Sequence, residues 1–204
     1  MKSLFILTVF LFFLAQNTCI AQQFNVKTYS FNEGLATYNI KKAVQDKYGF
    51  IWLATQDGVY RYDGTNFESY KKSGNGSASI RENFIFDIAL GNDEKLYIAS
   101  FNGGVDVINI RTLQVTHLLS QKKENEDGLP DLWIEKIFCD AEDNLWIGGK
   151  EYLKIFNLKE KKFKNFQQAV TMRPDNHITF IESVDKNTIA VGAENYGILF
   201  YNTA

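Results

Sequence analysis

The chain has 204 residues, 45% of them hydrophobic and 15% aromatic, with a formal net charge of -2 at pH 7. That length supports a core of ordinary size in one domain, or in one part of a larger one. The near-neutral balance leaves no basic footprint for a nucleic-acid partner, and the aromatic content, 17 Phe and 10 Tyr, favours pleated, half-buried surfaces.

The first residues read as an address. Lys2 supplies a positive n-region, Leu4 to Leu14 is an apolar h-region, and Cys19-Ile20-Ala21 places small residues where a signal peptidase cuts. Met1 to Ala21 is therefore predicted to be a secretory signal, with cleavage before Gln22 and a periplasmic or otherwise exported product. The apolar run is too short to cross a ~30 Å hydrocarbon core, and no later segment is predicted to span a membrane. Removing the signal takes Cys19 with it. Cys139 is then alone, so no intramolecular disulfide is expected, and its place at the end of an apolar strand pattern makes it a small buried hydrophobe.

Residues 22–38 are predicted as an N-terminal strand and lead-in segment. Within it, Phe24, Val26 and Tyr29 have the pattern of an outer strand. A repeat begins at residue 39, and four units align. The first carries Asp46, Gly49, Ile51-Trp52-Leu53-Ala54-Thr55 and Gly58-Val59-Tyr60; the second, Leu96-Tyr97-Ile98-Ala99-Ser100 and Gly104-Val105. The third carries Asp140, Leu145-Trp146-Ile147-Gly148-Gly149 and Leu153 to Phe156; the fourth, Ile189-Ala190-Val191-Gly192-Ala193 and Gly197-Ile198. Trp52, Tyr97, Trp146 and Ala190 are equivalent positions, recurring at the roughly 40–50-residue period of propeller blades. Gly49 and Gly58 mark the turns of the first unit; Lys95 and Asn144 align with Gly49 in the second and third.

Each unit divides into strands. The inner strands are predicted at Ile40 to Val44, Phe84 to Leu90, Trp133 to Cys139 and Ile178 to Val184. The second is a short apolar run buried on both faces, ending in small residues (Ala54, Ala99, Gly148, Gly192) that let adjacent backbones approach. The third is Val59 to Tyr62, Val105 to Ile108, Leu153 to Phe156 and Ile198 to Tyr201. Outer strands at Phe67 to Tyr70, Val115 to Leu118 and Phe163 to Phe166 alternate apolar and polar residues, which puts one face in water. The fold class is all-β: a partial β-propeller of about four four-stranded antiparallel blades (39–72, 83–119, 132–167 and 177–204) in an open, incomplete ring. Helix is nearly absent, and the charged stretch between Leu119 and Asp131 reads as a solvated loop.

No catalytic constellation is visible. His-Glu-x-x-His, paired Cys at metal spacing, a Gly-x-Ser-x-Gly elbow and a P-loop are all missing, so no metal and no cofactor are predicted. His117 and His177 are expected at the surface, and the repeated acids at turns, which they close with their own side chains. Trp52 and Trp146 share one repeat position inside an apolar run and are assigned to blade packing. Trp133 precedes an inner strand, where loops line one end of a central channel. With Tyr38 it forms the candidate ligand-contacting pair, and either could equally serve the core.

The stretch Asp46-Lys-Tyr-Gly-Phe-Ile-Trp-Leu-Ala-Thr, followed by Gly58-Val59 and Tyr62-Asp63-Gly64, resembles the two-component regulator propeller repeat. Glu33-Gly34-Leu35 resembles that family's opening, and the likeness extends more loosely over the later units. The resemblance implies the periplasmic sensor region of membrane-spanning hybrid histidine kinases of the Bacteroidetes type, which respond to oligosaccharides. On that basis the expected function is non-catalytic ligand sensing, with a neutral or acidic oligosaccharide as ligand, by a fragment of a longer sensor kinase. Two rival readings are a structural or interaction module completed by another propeller chain or by self-association, and a propeller lyase. The lyase reading is weakened because no unit carries a distinctive histidine or acid pair away from the turns.

Overall fold

Short apolar runs flanked by Asp-, Asn- and Gly-rich turns can satisfy their backbone groups only by pairing with their sequence neighbours, and each repeat does so as an antiparallel meander. In the computed structural model, which describes residues 25–74, 79–119, 128–164 and 176–203, four such sheets follow one another. The first contains β1 (Ile40–Gln45), β2 (Ile51–Thr55), β3 (Gly58–Tyr62) and β4 (Phe67–Tyr70); the second β5 (Ile85–Leu90), β6 (Lys95–Ser100), β7 (Gly104–Asn109) and β8 (Val115–Leu119). The third contains β9 (Ile134–Cys139), β10 (Asn144–Gly149), β11 (Tyr152–Asn157) and β12 (Lys162–Phe163). The fourth has three strands, β13 (Ile178–Asp185), β14 (Thr188–Ala193) and β15 (Gly197–Asn202). The signal read at Met1 to Ala21, Phe24, and the end of the third outer strand at Asn165-Phe166 lie outside the described residues. Among the described residues the helical content is one 3₁₀ turn, Phe31–Glu33, capped reciprocally by Ser30 and Glu33 and closed by Gly34.

The second strands β2, β6, β10 and β14 are buried almost throughout, as the unbroken apolar runs predict. Their repeat residues open successive inter-blade cores. Trp52 packs with Ile85, Ile88 and Leu96 between the first two sheets. Tyr97 joins Ile134, Ile137 and Leu145 between the second and third, and Trp146 joins Ile178, Ile181 and Val191 between the third and fourth. The outward face of the first sheet, with Leu53 and Tyr60, is covered by Leu35. The outward face of the fourth leaves Val184, Ile198 and Phe200 exposed. Residues 25–29 join no sheet. Tyr29 instead packs edge-on against Tyr62 and Phe67, and its hydroxyl lies 2.5 Å from that of Tyr62. Because Tyr62 donates to the Gly64 carbonyl, Tyr29 is the donor of this bond.

The turn acids do more than close turns. Asp46 accepts from the backbone N–H of Tyr48 and Phe50 through Oδ1 and from the buried Trp52 indole through Oδ2, at 2.7 Å. Asp140 repeats this with Glu142, Asn144 and Trp146, the indole bond being 2.8 Å. The second blade has Gly91 at this position. A Cβ there would sit 2.7 Å from the Tyr97 ring, and the Tyr97 hydroxyl takes Asp93 as its acceptor at 2.9 Å. An acid six residues before a tryptophan, and a glycine before a tyrosine, are two solutions to one requirement: a buried polar ring atom must find an acceptor.

Two expectations from the repeat are corrected. The left-handed position of the turn, Gly49 in the first blade, is filled in the second and third by Glu94 and Asp143 (φ 59° each), one residue before Lys95 and Asn144. The small residue Gly148 makes room for a side chain rather than a backbone: a Cβ would lie 2.6 Å from Ile178 Cγ2 of the next blade. Gly58 does meet a backbone, since a Cβ there would be 2.5 Å from the Tyr70 carbonyl oxygen at a φ of +107°.

Cys139 is half-buried against the core between the second and third sheets. Burial, reinforced by the nearby Asp93 and Asp140, pushes its thiol far above the ordinary range. Because only the thiolate attacks, Cys139 is expected to resist alkylation by iodoacetamide at pH 8 and to react at the free-thiol rate once the chain is unfolded in guanidinium. Equal rates in the two states would refute this burial.

Candidate ligand-binding site

The innermost strands β1, β5, β9 and β13 lie side by side, and residues from all four line a common cleft (Lys42, Ile88, Phe138 and Ile181) that defines the axis of the blades. Each innermost strand carries the same irregularity near its start. The ladder skips one residue between Ile40 and Lys42, between Ile85 and Asp87, between Ile134 and Lys136, and between Ile178 and Phe180. The unpaired residues are Lys41, Phe86, Glu135 and Thr179. A bulge twists its strand and re-aims a side chain, and here it does so four times at one end of the axis.

Three of these bulge residues, Lys41, Phe86 and Glu135, line a cleft of about 300 Å³ together with Lys136, His177 and Ile178. Trp133, immediately before β9, packs against two of these lining residues, Phe86 and His177. Its ring stacks on Phe86 (6.2 Å between centroids, 10° between planes), meets Phe101 edge-on at 5.0 Å and lies 6.4 Å from His177. Its backbone is held by a bond from Trp133 N–H to Asp131 Oδ1 at 2.8 Å. The ring remains 36% exposed, whereas Trp52 is fully buried. Tyr38, the other sequence candidate, is 69% exposed and packs edge-on against Phe31. The structure therefore groups Trp133 with Phe86, Phe101 and His177, and leaves Tyr38 outside that group.

The polar side of the cleft was not foreseen. His177 and Glu135 bond through Nδ1 and Oε1 at 2.5 Å, while Glu135 Oε2 is buried without a hydrogen-bond partner. His117 likewise bonds to the fully buried Asp106, at 2.7 Å, and Asp106 also accepts from Arg81. Both histidines keep side-chain exposure, His117 46% and His177 34%, and each also bonds a largely buried carboxylate, which strand patterning did not indicate. Lys41 and Lys136 form no ion pair among the described residues, and Lys41 stands 6.0 Å from the Phe84 ring. The described residues contain no cluster of three or more metal-ligating side chains and no helix long and apolar enough to cross a membrane.

Radial four-stranded meanders around a shared axis, with the repeat aromatics between them, define the blades of a β-propeller. The resemblance read from Asp46 to Gly64 has counterparts among known proteins. The chain is 32% identical over 82 residues, 39% of its length, to Histidine kinase P4 of Formosa agariphila, of which the match covers 6%. It superposes with a TM-score of 0.75 and 18% identity on the extracellular domain of the hybrid two component system BT3049 from B. thetaiotaomicron, over 87% of this chain and 25% of that one. The extracellular domain of the one component system BT4673 from the same organism superposes at 0.59 with 20% identity, over 83% of this chain and 22% of that one. This chain thus spans a quarter or less of each of these three proteins. No family model matches.

Proposed function

We propose that the chain is an extracytoplasmic, non-catalytic propeller segment of a two-component regulatory sensor, and that it recognises oligosaccharide at the mouth built by the four bulges. The observation that carries this reading is the exposed Trp133, stacked on Phe86, a residue of the cleft in which His177 and Glu135 pair. An aromatic face to stack on a sugar ring, together with a few convergent polar groups, is what recognition of a hydroxylated ring requires. The likeness to extracellular domains of two-component systems supports placement outside the cytoplasm and a role in signalling. Titration calorimetry of the full chain against pools of neutral and acidic oligosaccharides tests the proposal. Saturable binding that disappears in Trp133→Ala is expected, and the absence of binding to every pool would sink it.

A second reading has its own observation. Val184, Ile198 and Phe200 together expose the outward face of the fourth sheet, and apolar surface left in water costs ~25 cal/mol per Å². The face favours burial against a further blade, supplied by a longer sensor or by a partner propeller chain.

A further inference from the structure

We propose that the cleft beside Trp133 selects an anionic sugar unit, a uronate or a sulfated ring, with Lys41 and Lys136 as the anion-binding groups. The inference rests on the oligosaccharide reading and deepens it. Four side chains in the cleft can carry charge. Glu135 and His177 face one another through a hydrogen bond, which commits one carboxylate oxygen to the imidazole. The two lysines, on β1 and β9, have no carboxylate partner among the described residues. Elsewhere on these innermost strands a lysine is engaged: Lys42 pairs with the buried Asp87 at 2.8 Å. Among the described residues Lys41 and Lys136 are therefore uncompensated cations of a cleft that also holds Phe86, in a protein whose overall charge is -2.

Each component then has a part in recognition. The apolar face of the sugar ring lies against Trp133, a ring hydroxyl bonds to the part-exposed His177 that Glu135 orients, and the carboxylate or sulfate is held by the lysines. The Glu135 charge opposes an anion placed beside it, so the acidic substituent sits on the lysine side and the hydroxyl on the glutamate side, which fixes the orientation of the ring.

Of the three tryptophans, Trp52 and Trp146 are buried and Trp133 is exposed, so acrylamide quenching of indole fluorescence in the full chain reports on Trp133. The probes are trigalacturonate, a sulfated chondroitin disaccharide, and cellotriose as the neutral control. Protection by at least one acidic probe is expected, with an affinity at least tenfold above cellotriose that falls as salt is raised. Lys41→Gln/Lys136→Gln should lose that tenfold preference and the salt dependence while melting as the parent does. Trp133→Phe, which lacks the reporting indole and is followed by titration calorimetry, should keep binding, and Glu135→Gln should weaken both acidic and neutral sugars or strengthen only the acidic ones. The two acidic probes separate carboxylate from sulfate recognition. Equal protection by cellotriose, or binding unaffected by the double lysine variant, overturns the anionic selection but leaves oligosaccharide sensing standing. Protection by none of the three overturns this proposal, whereas the calorimetric pools decide independently whether the sensing reading survives.

Discussion

Trp52→Ala is expected to lose ~3–5 kcal/mol of unfolding free energy, the range for removing a large buried aromatic from a core. The indole has no exposed surface and packs in the interface between the first two sheets with Ile85, Ile88 and Leu96. It also carries a polar atom, and its Nε1 donates to Asp46 Oδ2 at 2.7 Å. Truncation therefore opens a cavity and removes the donor from an acid that is itself 5% exposed. Trp52→Phe separates the two effects. It retains most of the apolar contact, so its loss should fall to the ~1–3 kcal/mol of an unsatisfied buried acceptor. Urea titration followed by far-ultraviolet circular dichroism measures both. An alanine variant with the parental midpoint would mean that the ring is not buried between blades.

Much of this architecture was legible because blade packing depends on period and polarity. The recurrence of Trp52, Tyr97 and Trp146 located the inter-blade cores, and the unbroken apolar runs located the strands buried on both faces. Three strand patterns are written in the last unit, and among the described residues three strands form there. What stayed hidden depends on register. A one-residue skip in the ladder leaves no mark on composition, so the bulges that turn Lys41, Phe86 and Glu135 into the cleft could not be read. The pairing of His177 with Glu135 links two blades, and no spacing rule joins residues that far apart. One readable signal was overlooked. The acid six residues ahead of Trp52 and Trp146 recurs within the chain, and the glycine ahead of Tyr97 breaks the pattern at the same place the indole is lost.

Asp87→Ala should destabilise the chain by ~2–4 kcal/mol, most of it the cost of leaving buried backbone N–H groups without their acceptor and the rest a partly screened ion pair. Asp87 is 3% exposed on an innermost strand, where hydrophobic patterning alone would place an apolar residue. Its Oδ1 accepts from Lys42 Nζ at 2.8 Å and from the N–H of Ile88 at 2.9 Å, and its Oδ2 accepts from the N–H of Ile137 at 3.0 Å. Lys42 belongs to β1 and Ile137 to β9, so one carboxylate ties three consecutive blades together at the axis. An innermost strand has a ladder on one side only, and its other edge presents N–H groups with no strand to receive them. Asp87 supplies the acceptor that the missing strand would have provided to Ile137, whose side chain is fully buried. The pair with the 37%-exposed Lys42 is partly screened, and the carboxylate keeps its two backbone donors when the cation is removed, so Lys42→Ala should cost under ~1 kcal/mol. The two variants together show what the carboxylate does. A large loss in Asp87→Ala with a small one in Lys42→Ala assigns its stabilising role to the backbone of the neighbouring blade. Equal losses would instead assign it to the ion pair, and an Asp87→Ala variant that unfolds at the parental urea concentration would mean that the three blades are not joined through this residue.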